Sequence, residues 1–396
     1  MRCQEKFFEV YRHVPEGLAF CPQRVVPVGA HSDYGLGKIT GLALDKGIHI
    51  AYHPKLDGEI EILSLQFDKR VQWHAGDVPA ACQNDWADYL RGATLALSRN
   101  HQLHTGLSGV VEGSLPIGGL SSSAAVVIAF ITALAKVNGI RLTPSELIEN
   151  ALFAEKQYVG VQVGTTDQSC EVYSKKDQLL YADTRDGSYE LIPTSGAMKG
   201  YGIVIFFSGL ERALAGSGLN MRVDEARSAA YALKAFAGME YGRFTDTNLR
   251  DVPREIFEHH KQKLPAPWRR RAEHWFSEQE RVEQAASAWR AGDIVTYGRL
   301  SFESGLSSIR NWETGCPELK TLYEIMTRTP GIYGGRFSGA GFKGCCIALT
   351  DPEQEENVVG TVGEAYLKAY PALRGKYKAI VAHSADGWLA QNETKE

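Results

Sequence analysis

The sequence predicts an α+β protein with two domains, residues 1–190 and 191–396. A chain of 396 residues is longer than one ordinary hydrophobic core needs. Strand and helix patterns occur in both halves, which favours two α+β layers over a doubly wound sheet or a barrel. A polar stretch at 184–199 precedes an apolar strand at 201–207, so we place the domain boundary there.

Composition and charge restrict the class of function. The 44% hydrophobic and 23% charged residues are typical of a globular protein, and a net charge of −4 gives no general attraction to nucleic acid or anionic lipid. No uncharged apolar run is long enough for a membrane span, and the charged N-terminal segment does not resemble a signal peptide. Seven cysteines without a C-x-x-C pair indicate reduced thiols. We therefore expect a soluble cytoplasmic protein that binds small molecules, with no nucleic-acid or membrane partner and an oligomeric state left open.

Two buried strands and three helices are predicted for the first half: strands at 23–30 and 47–52, and helices at 85–99, 122–136 and 144–158. Asp85 can cap the first of these helices. Residues 143–146 form a capping-box sequence with proline at the first helical position, which indicates where the third helix begins. A polar loop that contains glycine follows the first strand, at 31–37.

Helices dominate the second half after the strand at 201–207, and they are predicted at 220–240, 268–290, 294–304 and 317–328. A glycine-rich segment at 334–344 leads directly into an apolar strand at 345–350. Asp351-Pro352 opens a further helix, and a strand at 378–383 follows it. The sequence contains no internal repeat and no low-complexity run.

The segment at 116–136 gives the strongest chemical signal, because a glycine turn and three serines lead straight into an apolar helix. Glycines let the backbone approach a phosphate closely, and a helix start offers unpaired N–H groups with a partial positive charge. Serine hydroxyls can add donors or coordinate Mg²⁺. One serine would suffice to cap a helix, so the sequence predicts a phosphate site formed by Gly118, Gly119, Leu120, Ser121, Ser122, Ser123 and Ala124.

Two other glycine-containing segments do not fit the common nucleotide motifs. Residues 32–39 lack the first glycine and the final Ser/Thr of a Walker loop. Residues 339–344 match G-x-G-x-x-G letter for letter, but a dinucleotide fingerprint needs a helix after the glycines, and here a strand follows. A turn that packs near the phosphate site and a purely structural loop both remain open for this segment.

Several single polar residues are candidates for chemistry. Arg24 lies within an apolar run, where a charge is costly unless paired, so it has either an anionic ligand or a structural ion pair. His31 and Asp33 either decorate a turn or bind sugar hydroxyls. Asp167 lies in a short loop, where capping the next element is the common role. Glu155 lies on a predicted helix, on which an exposed face is the default.

Three of these segments together resemble the three motifs of the GHMP small-molecule kinase superfamily. Gly29–Tyr34 resembles the galactokinase signature Gly-Glu-His-Thr-Asp-Tyr, Gly119–Ala124 resembles the superfamily's phosphate loop, and Gly335–Phe342 resembles the third motif. Further segments are similar to the galacturonokinase group of this superfamily: residues 220–223, 271–274, 276–278, 304–309 and 336–346.

The resemblance implies a fold and a chemistry. The fold has an N-terminal domain like the second domain of a ribosomal S5-type protein and a ferredoxin-like C-terminal domain, with the active site between them. Asp167 would take the proton of the sugar's anomeric hydroxyl, and Arg24 would orient Asp167 and stabilise charge on the transferring phosphoryl group. ATP is the implied co-substrate and Mg²⁺ the cofactor. The implied Mg²⁺ ligands are Ser122, Ser123 and Glu155, and the implied sugar-binding positions are Ala30, His31, Asp33 and Asp167.

Two departures from the galactokinase pattern bear on the substrate. Ala30 stands where galactokinases have a glutamate that contacts the sugar's C6 hydroxyl, and Leu219 stands where they have a tyrosine. A carboxylate about 4 Å from a uronate carboxylate would cost about 4 kcal/mol at an effective dielectric of about 20, so alanine favours an acidic sugar. Arg222, Lys343 and His31 are candidates to receive the uronate charge.

The sequence therefore predicts an ATP-dependent kinase that converts D-galacturonate into galacturonate 1-phosphate. The same-class alternative is a kinase of a neutral sugar, galactokinase above all. A different-class alternative is a catalytically silent sensor of sugar and ATP on the same fold, against which the presence of Arg24, Glu155 and Asp167 argues.

Overall fold

A computed structural model of the protein describes residues 1–210 and 217–393. Within these ranges the strands are β1 (Gly17–Val25), β2 (Lys38–Lys55), β3 (Glu59–Ser64), β4 (Lys69–His74), β5 (Gly106–Gly113), β6 (Gln178–Asp183), β7 (Tyr189–Pro193), β8 (Gly202–Phe207), β9 (Ile332–Phe337), β10 (Cys345–Thr350), β11 (Lys378–Ala382) and β12 (Ser384–Ala385). The α-helices are α1 (Arg2–Tyr11), α2 (Asp88–Ser98), α3 (Ser122–Val137), α4 (Pro144–Phe153), α5 (Thr166–Tyr173), α6 (Ser217–Phe236), α7 (Arg254–His260), α8 (Ala266–Arg290), α9 (Ile294–Ser307), α10 (Pro317–Met326), α11 (Glu355–Ala369) and α12 (Trp388–Glu393).

The first sheet has eight strands and is organised around the long strand β2. Its main path runs β4-β3-β5-β2-β6-β7, and β1 and β12 also pair with β2. All pairs are antiparallel except β3 with β5. Apolar side chains of α2, α3 and α4 pack into one core with this sheet, for example Leu90, Phe130 and Leu147. The sheet and these helices therefore form one α+β layer, as the sequence predicts.

The second sheet has four antiparallel strands in the order β11-β8-β10-β9. Its central strands β8 and β10 are buried along their whole length, which explains their continuous apolar sequences. Helices α10 and α11 supply Leu319, Leu322 and Val358 to the core on one side of this sheet. Helices α8 and α9 supply Trp289 and Leu300 to a separate core that also includes residues of the first sheet. That shared core joins the two halves.

The first predicted strand is wrong in its position. The sequence predicts a strand at 23–30, whereas β1 ends at Val25 and residues 26–30 form a loop that is buried as far as Gly29. Val28 is buried because it packs in the same cluster as Val282 of α8. Gly29 has φ +103°, and a Cβ there would lie 2.8 Å from the Cα of Ile39. An apolar run thus marks burial here without strand pairing, and the predicted strand at 47–52 is only part of β2.

The chain crosses between the two sheets twice. The predicted boundary at residue 190 lies inside β7, which is an edge of the first sheet. After β11, strand β12 returns to pair with β2, and Trp388 of α12 donates its indole N–H to Thr132 in the first core. Within residues 1–210 and 217–393, no helix combines the length and apolar composition that crossing a bilayer requires.

The third predicted helix starts where the capping box places it. Thr143 Oγ1 accepts the N–H of Glu146 at 3.2 Å, and Pro144 opens α4. The α-helix ends at Phe153 and continues as a five-residue π-turn, Ala154–Tyr158. Such turns change the direction of side chains that follow the regular helix, and this one contains Glu155.

Candidate active site

One cleft contains nearly all the residues predicted for function. Its lining includes Arg24, Ala30, His31, Asp33, Gly118, Gly119, Ser121, Ser122, Ser123, Glu155 and Asp167. Leu219, singled out as a departure from the galactokinase pattern, also lines it. The side chains of Leu120 and Ala124 are buried outside the lining, so these two predicted ATP-binding residues can contribute only backbone.

Arg24 and Asp167 form an ion pair at the centre of the cleft. Arg24 is 4% exposed, and its Nη2 and Nε atoms lie 2.5 and 2.7 Å from Asp167 Oδ1. Its Nη1 donates to the carbonyl of Gly119 at 3.3 Å and to the hydroxyl of Ser338 at 3.4 Å. An ion pair is one of the two interpretations of Arg24, and it is present. The same guanidinium contacts the predicted phosphate loop.

Asp167 lies in the first turn of α5, which corrects the prediction that it lies in a loop. A carboxylate at this position is stabilised by the positive end of the helix dipole. The side chain is 27% exposed, so one face is open to the cleft. Asp33 Oδ2 accepts the N–H of Thr166 at 3.2 Å, which brings a second carboxylate to the same helix start. Burial, and then the charge of Asp167, raise the pKa of Asp33.

Glu155 is buried, contrary to the exposed position that its helix suggested. It is 2% exposed, because the π-turn directs it toward the cleft. Gln168 Nε2 donates to Glu155 Oε2 at 2.5 Å. Burial, together with the charge of Asp167, raises the pKa of Glu155 to about 7. A positive charge bound beside this carboxylate would restore its ionised form.

At two positions of the predicted phosphate loop, the backbone has a conformation that only glycine adopts easily. Gly118 and Gly119 have φ +140° and +86°, and α3 begins directly afterwards at Ser122. A Cβ on Gly339 would lie 2.8 Å from the Cα of Gly119. A Cβ on Gly344 would lie 2.9 Å from the carbonyl carbon of Gly118. The glycine-rich segment at 339–344 therefore packs against the loop, which decides between its two interpretations.

His31 lines the cleft and is almost fully buried. Its ring stacks on Trp312 with centroids 5.2 Å apart and an interplanar angle of 7°. Nε2 is buried and has no hydrogen-bond partner among the described residues. Burial, followed by the nearby charge of Arg336, lowers the pKa of His31, so its imidazole is neutral. A neutral ring leaves one nitrogen able to donate to a ligand.

An aromatic wall beyond the phosphate loop was missed by the sequence reasoning. Phe67 and Trp86 both line the cleft and stack with centroids 5.7 Å apart, and Ile117 also lines the cleft. No short motif marks such a wall, because its members come from separate elements and meet only in the fold. Ser338 and Gln168, the partners of Arg24 and Glu155, were missed for the same reason.

Comparisons with known proteins identify the family of the chain. The GHMP kinases N terminal domain matches residues 88–175, and the GHMP kinases C terminal domain matches residues 285–368. A galacturonokinase from Arabidopsis thaliana is 35% identical over 393 residues, which cover 93% of this chain and 92% of the relative. The chain belongs to the GHMP kinase family.

Other GHMP kinases show how far the likeness extends. A galactokinase from Roseiflexus sp. (strain RS-1) is 31% identical over 97% of this chain and 95% of its own length. The crystal structure of Lactococcus lactis galactokinase complexed with galactose matches with a TM-score of 0.87 and 25% identity over 97% of both chains. Methanococcus jannaschii mevalonate kinase, with a TM-score of 0.66 and 16% identity over 93% of this chain and 98% of its own, shares the fold. The GHMP fold implied by the sequence is confirmed.

Proposed function

We propose that this GHMP kinase is an ATP-dependent anomeric kinase of D-galacturonate that produces galacturonate 1-phosphate. One observation supports the proposal most strongly: Ala30 lines the same cleft as the Arg24–Asp167 pair and the glycine-serine loop. The pair and the loop suit transfer of a phosphoryl group to a hydroxyl. Alanine, in place of a carboxylate, suits an acceptor that is itself negatively charged. The galacturonokinase similarity points to the same substrate.

Asp167 is the base in this proposal. Its carboxylate takes the proton of the anomeric hydroxyl while that oxygen forms a bond to the γ-phosphorus, and the bond from this phosphorus to the β,γ-bridging oxygen breaks to release ADP. Phosphoryl transfer leaves the protein mainly positioning and charge stabilisation. Arg24 suits the second task, because its guanidinium bonds Asp167 and also reaches the carbonyl of Gly119. The start of α3 would receive phosphate oxygens on its free N–H groups.

Mg²⁺ would be held by Glu155 and by the hydroxyls of Ser122 and Ser123. These residues fit the ion, because they line one cleft and present the oxygen ligands that Mg²⁺ prefers. Gln168 donates to one carboxylate oxygen of Glu155, and the side chain of Ser123 also hydrogen-bonds this carboxylate. When bound, the ion supplies positive charge to the phosphate oxygens. Gln168 orients the carboxylate that would hold it.

The aromatic wall suits the base of the nucleotide. Phe67 is 44% and Ile117 39% exposed, so apolar side chains are accessible in this part of the cleft. A planar base would stack on such rings, as aromatic pairs do. This end of the cleft adjoins Gly118, so a nucleotide whose base lies there can place its phosphates at the start of α3.

His31 is the candidate for the uronate carboxylate that the geometry favours. It lines the cleft one residue from Ala30, with a buried nitrogen that has no partner among the described residues. Arg222 instead bonds Glu225 at 3.1 Å, and neither Arg222 nor Lys343 lines the cleft. A neutral imidazole that donates to a carboxylate makes a charge-assisted hydrogen bond, which is stronger than a bond to a hydroxyl. Recognition of the uronate would thus depend on the imidazole N–H of His31 and on having alanine, not a carboxylate, at position 30.

Galactose is the alternative acceptor, which the similarity to two galactokinases supports. A panel of sugars with MgATP, read by ADP release, separates the two. We expect kcat/KM for D-galacturonate to exceed that for D-galactose by at least about tenfold, since the charge argument at position 30 favours the acid. A preference for galactose would overturn the substrate assignment. Binding of both ligands with no turnover of any sugar would favour the silent sensor instead.

A further inference from the structure

Helix α8 contacts the active site through the loop that carries Ala30, His31 and Asp33, mainly by bonds to its backbone. This segment, residues 29–38, is called the sugar loop below. His274 Nε2 lies 3.0 Å from the carbonyl oxygen of Ala30, and Trp275 Nε1 donates to the carbonyl of Ser32 at 2.9 Å. Since a carbonyl can only accept, the His274 ring donates from Nε2, and its Nδ1 then accepts from the Ser307 hydroxyl at 2.9 Å.

Two further side chains of α8 hold the ends of the sugar loop. Glu278 Oε1 accepts the N–H of Gly29 at 2.7 Å. Gln279 bonds both backbone groups of Lys38, accepting its N–H at 2.7 Å and donating to its carbonyl at 3.2 Å. The four residues 274, 275, 278 and 279 lie on one side of the helix. Together their side chains satisfy backbone N–H and carbonyl groups of the sugar loop, as a neighbouring β-strand would do in a sheet.

The sugar loop needs such outside support because its backbone is strained. His31 and Leu36 have φ +66° and +59°, a region that residues with side chains enter at a cost. The loop also fits closely against α8, since a Cβ on Gly35 would lie 2.6 Å from Trp275 Nε1. The conformation that places His31 at the cleft is therefore held by α8, together with Ser32, which bonds the carbonyls of Gly29 and Lys38.

The same face of α8 reaches the catalytic arginine through a buried charged network. Glu278 accepts a hydrogen bond from Ser304 and lies 3.7 Å from Arg336, and both charged side chains are fully buried. Arg336 also bonds Ser304, and Ser308 at 2.8 Å. Two residues beyond it, Ser338 contacts Arg24. Buried ion pairs are costly to desolvate and contribute little net stability, so a positioning role explains this network better than stability does.

We propose that His274 and Glu278, assisted by Trp275 and Gln279, are positioning residues that set the enzyme's affinity for the sugar. They hold the sugar loop so that the groups at 30, 31 and 33 meet the acceptor, and the hydrogen bonds of His274 and Trp275 go to Ala30, Ser32 and Ser307 and not to the phosphate loop. The identity of the acceptor rests on the proposed function. The positioning role itself applies to whichever sugar the wild-type enzyme phosphorylates.

Steady-state kinetics of His274 variants test this role. The acceptor is the sugar that the wild-type enzyme prefers in the panel of sugars. A wrong substrate assignment can then be distinguished from failure of the positioning role. H274F removes the donor to Ala30 while keeping a ring, and we expect the sugar KM to rise about tenfold, as for one lost buried hydrogen bond. The KM for ATP should stay within about twofold, because the phosphate loop is untouched. H274Q places an amide N–H near the same point and should recover most of the loss.

A matched control and a second variant keep the outcome decisive. T132V removes a buried hydroxyl that accepts the indole N–H of Trp388, far along α3 from the sugar loop, and should leave both KM values unchanged. W275F removes the donor to Ser32 and replaces the indole with a smaller apolar ring, and it should raise the sugar KM alone, which decides the question if H274F does not fold. Parallel rises in both KM values, or no difference between H274Q and H274F, would overturn the positioning role.

Discussion

Asp167→Asn is expected to lower kcat by about a thousandfold, the usual scale for losing a positioned general base. Asparagine has the size of aspartate and can still accept a hydrogen bond from Arg24. It cannot take the proton of the anomeric hydroxyl. Folding and nucleotide affinity should be preserved, because Asp167 lies at the start of α5 and outside the phosphate loop.

Turnover and nucleotide titration measured on the same preparation check this expectation. D186N is the matched control, since Asp186 is a fully exposed carboxylate in the turn between β6 and β7. It should keep wild-type kcat. If D167N retained kcat within about tenfold of wild type, Asp167 would not be the base, because a general base contributes at least about a hundredfold.

Ala30→Glu is expected to reverse the sugar preference. A glutamate here would place a second negative charge in the cleft beside the uronate, and about 4 kcal/mol of repulsion is roughly a thousandfold in kcat/KM. Galactose carries no charge at C6, so its kcat/KM should fall far less or rise. Measuring kcat/KM for both sugars with wild type and A30E gives the ratio directly.

Ala30→Gln separates charge from size, because glutamine fills the same volume without a charge. A30Q should reduce galacturonate turnover only by its steric effect, well short of the loss in A30E. Equal losses on galactose and galacturonate in A30E would mean that position 30 does not face the C6 group. An equal loss in A30Q and A30E would mean that bulk, and not charge, excludes the acid.

The parts of the site that the sequence predicts well are those with local causes. The glycine turn, the three serines and the following apolar helix are adjacent in the chain, so their loop-to-helix geometry follows from the residues themselves. The capping box at Thr143 is local in the same way, and its hydrogen bond to Glu146 is present. The capping hydrogen bond and the start of α3 each appear where the pattern puts them.

The parts that the sequence predicts poorly depend on contacts between distant residues. Glu155 is buried because a π-turn rotates it toward the cleft, and no residue near it signals such a turn. The run at 26–30 looks like a strand because it is apolar, but Val28 is buried in a cluster that includes Val282, more than 250 residues later. Charged residues within α8 give no hint in sequence that they bond the sugar loop. The resemblance to GHMP kinases, by contrast, predicts from the sequence that Arg24 orients Asp167.

A crystal structure with D-galacturonate, Mg²⁺ and a non-hydrolysable ATP analogue tests the central claim most directly. The anomeric oxygen should lie within hydrogen-bonding distance of the Asp167 carboxylate and in line with the γ-phosphorus, with the phosphates on Gly118–Ala124 and the sugar's carboxylate beside Ala30 and His31. A sugar bound with its anomeric oxygen turned away from Asp167, or a nucleotide bound outside the start of α3, would contradict the account.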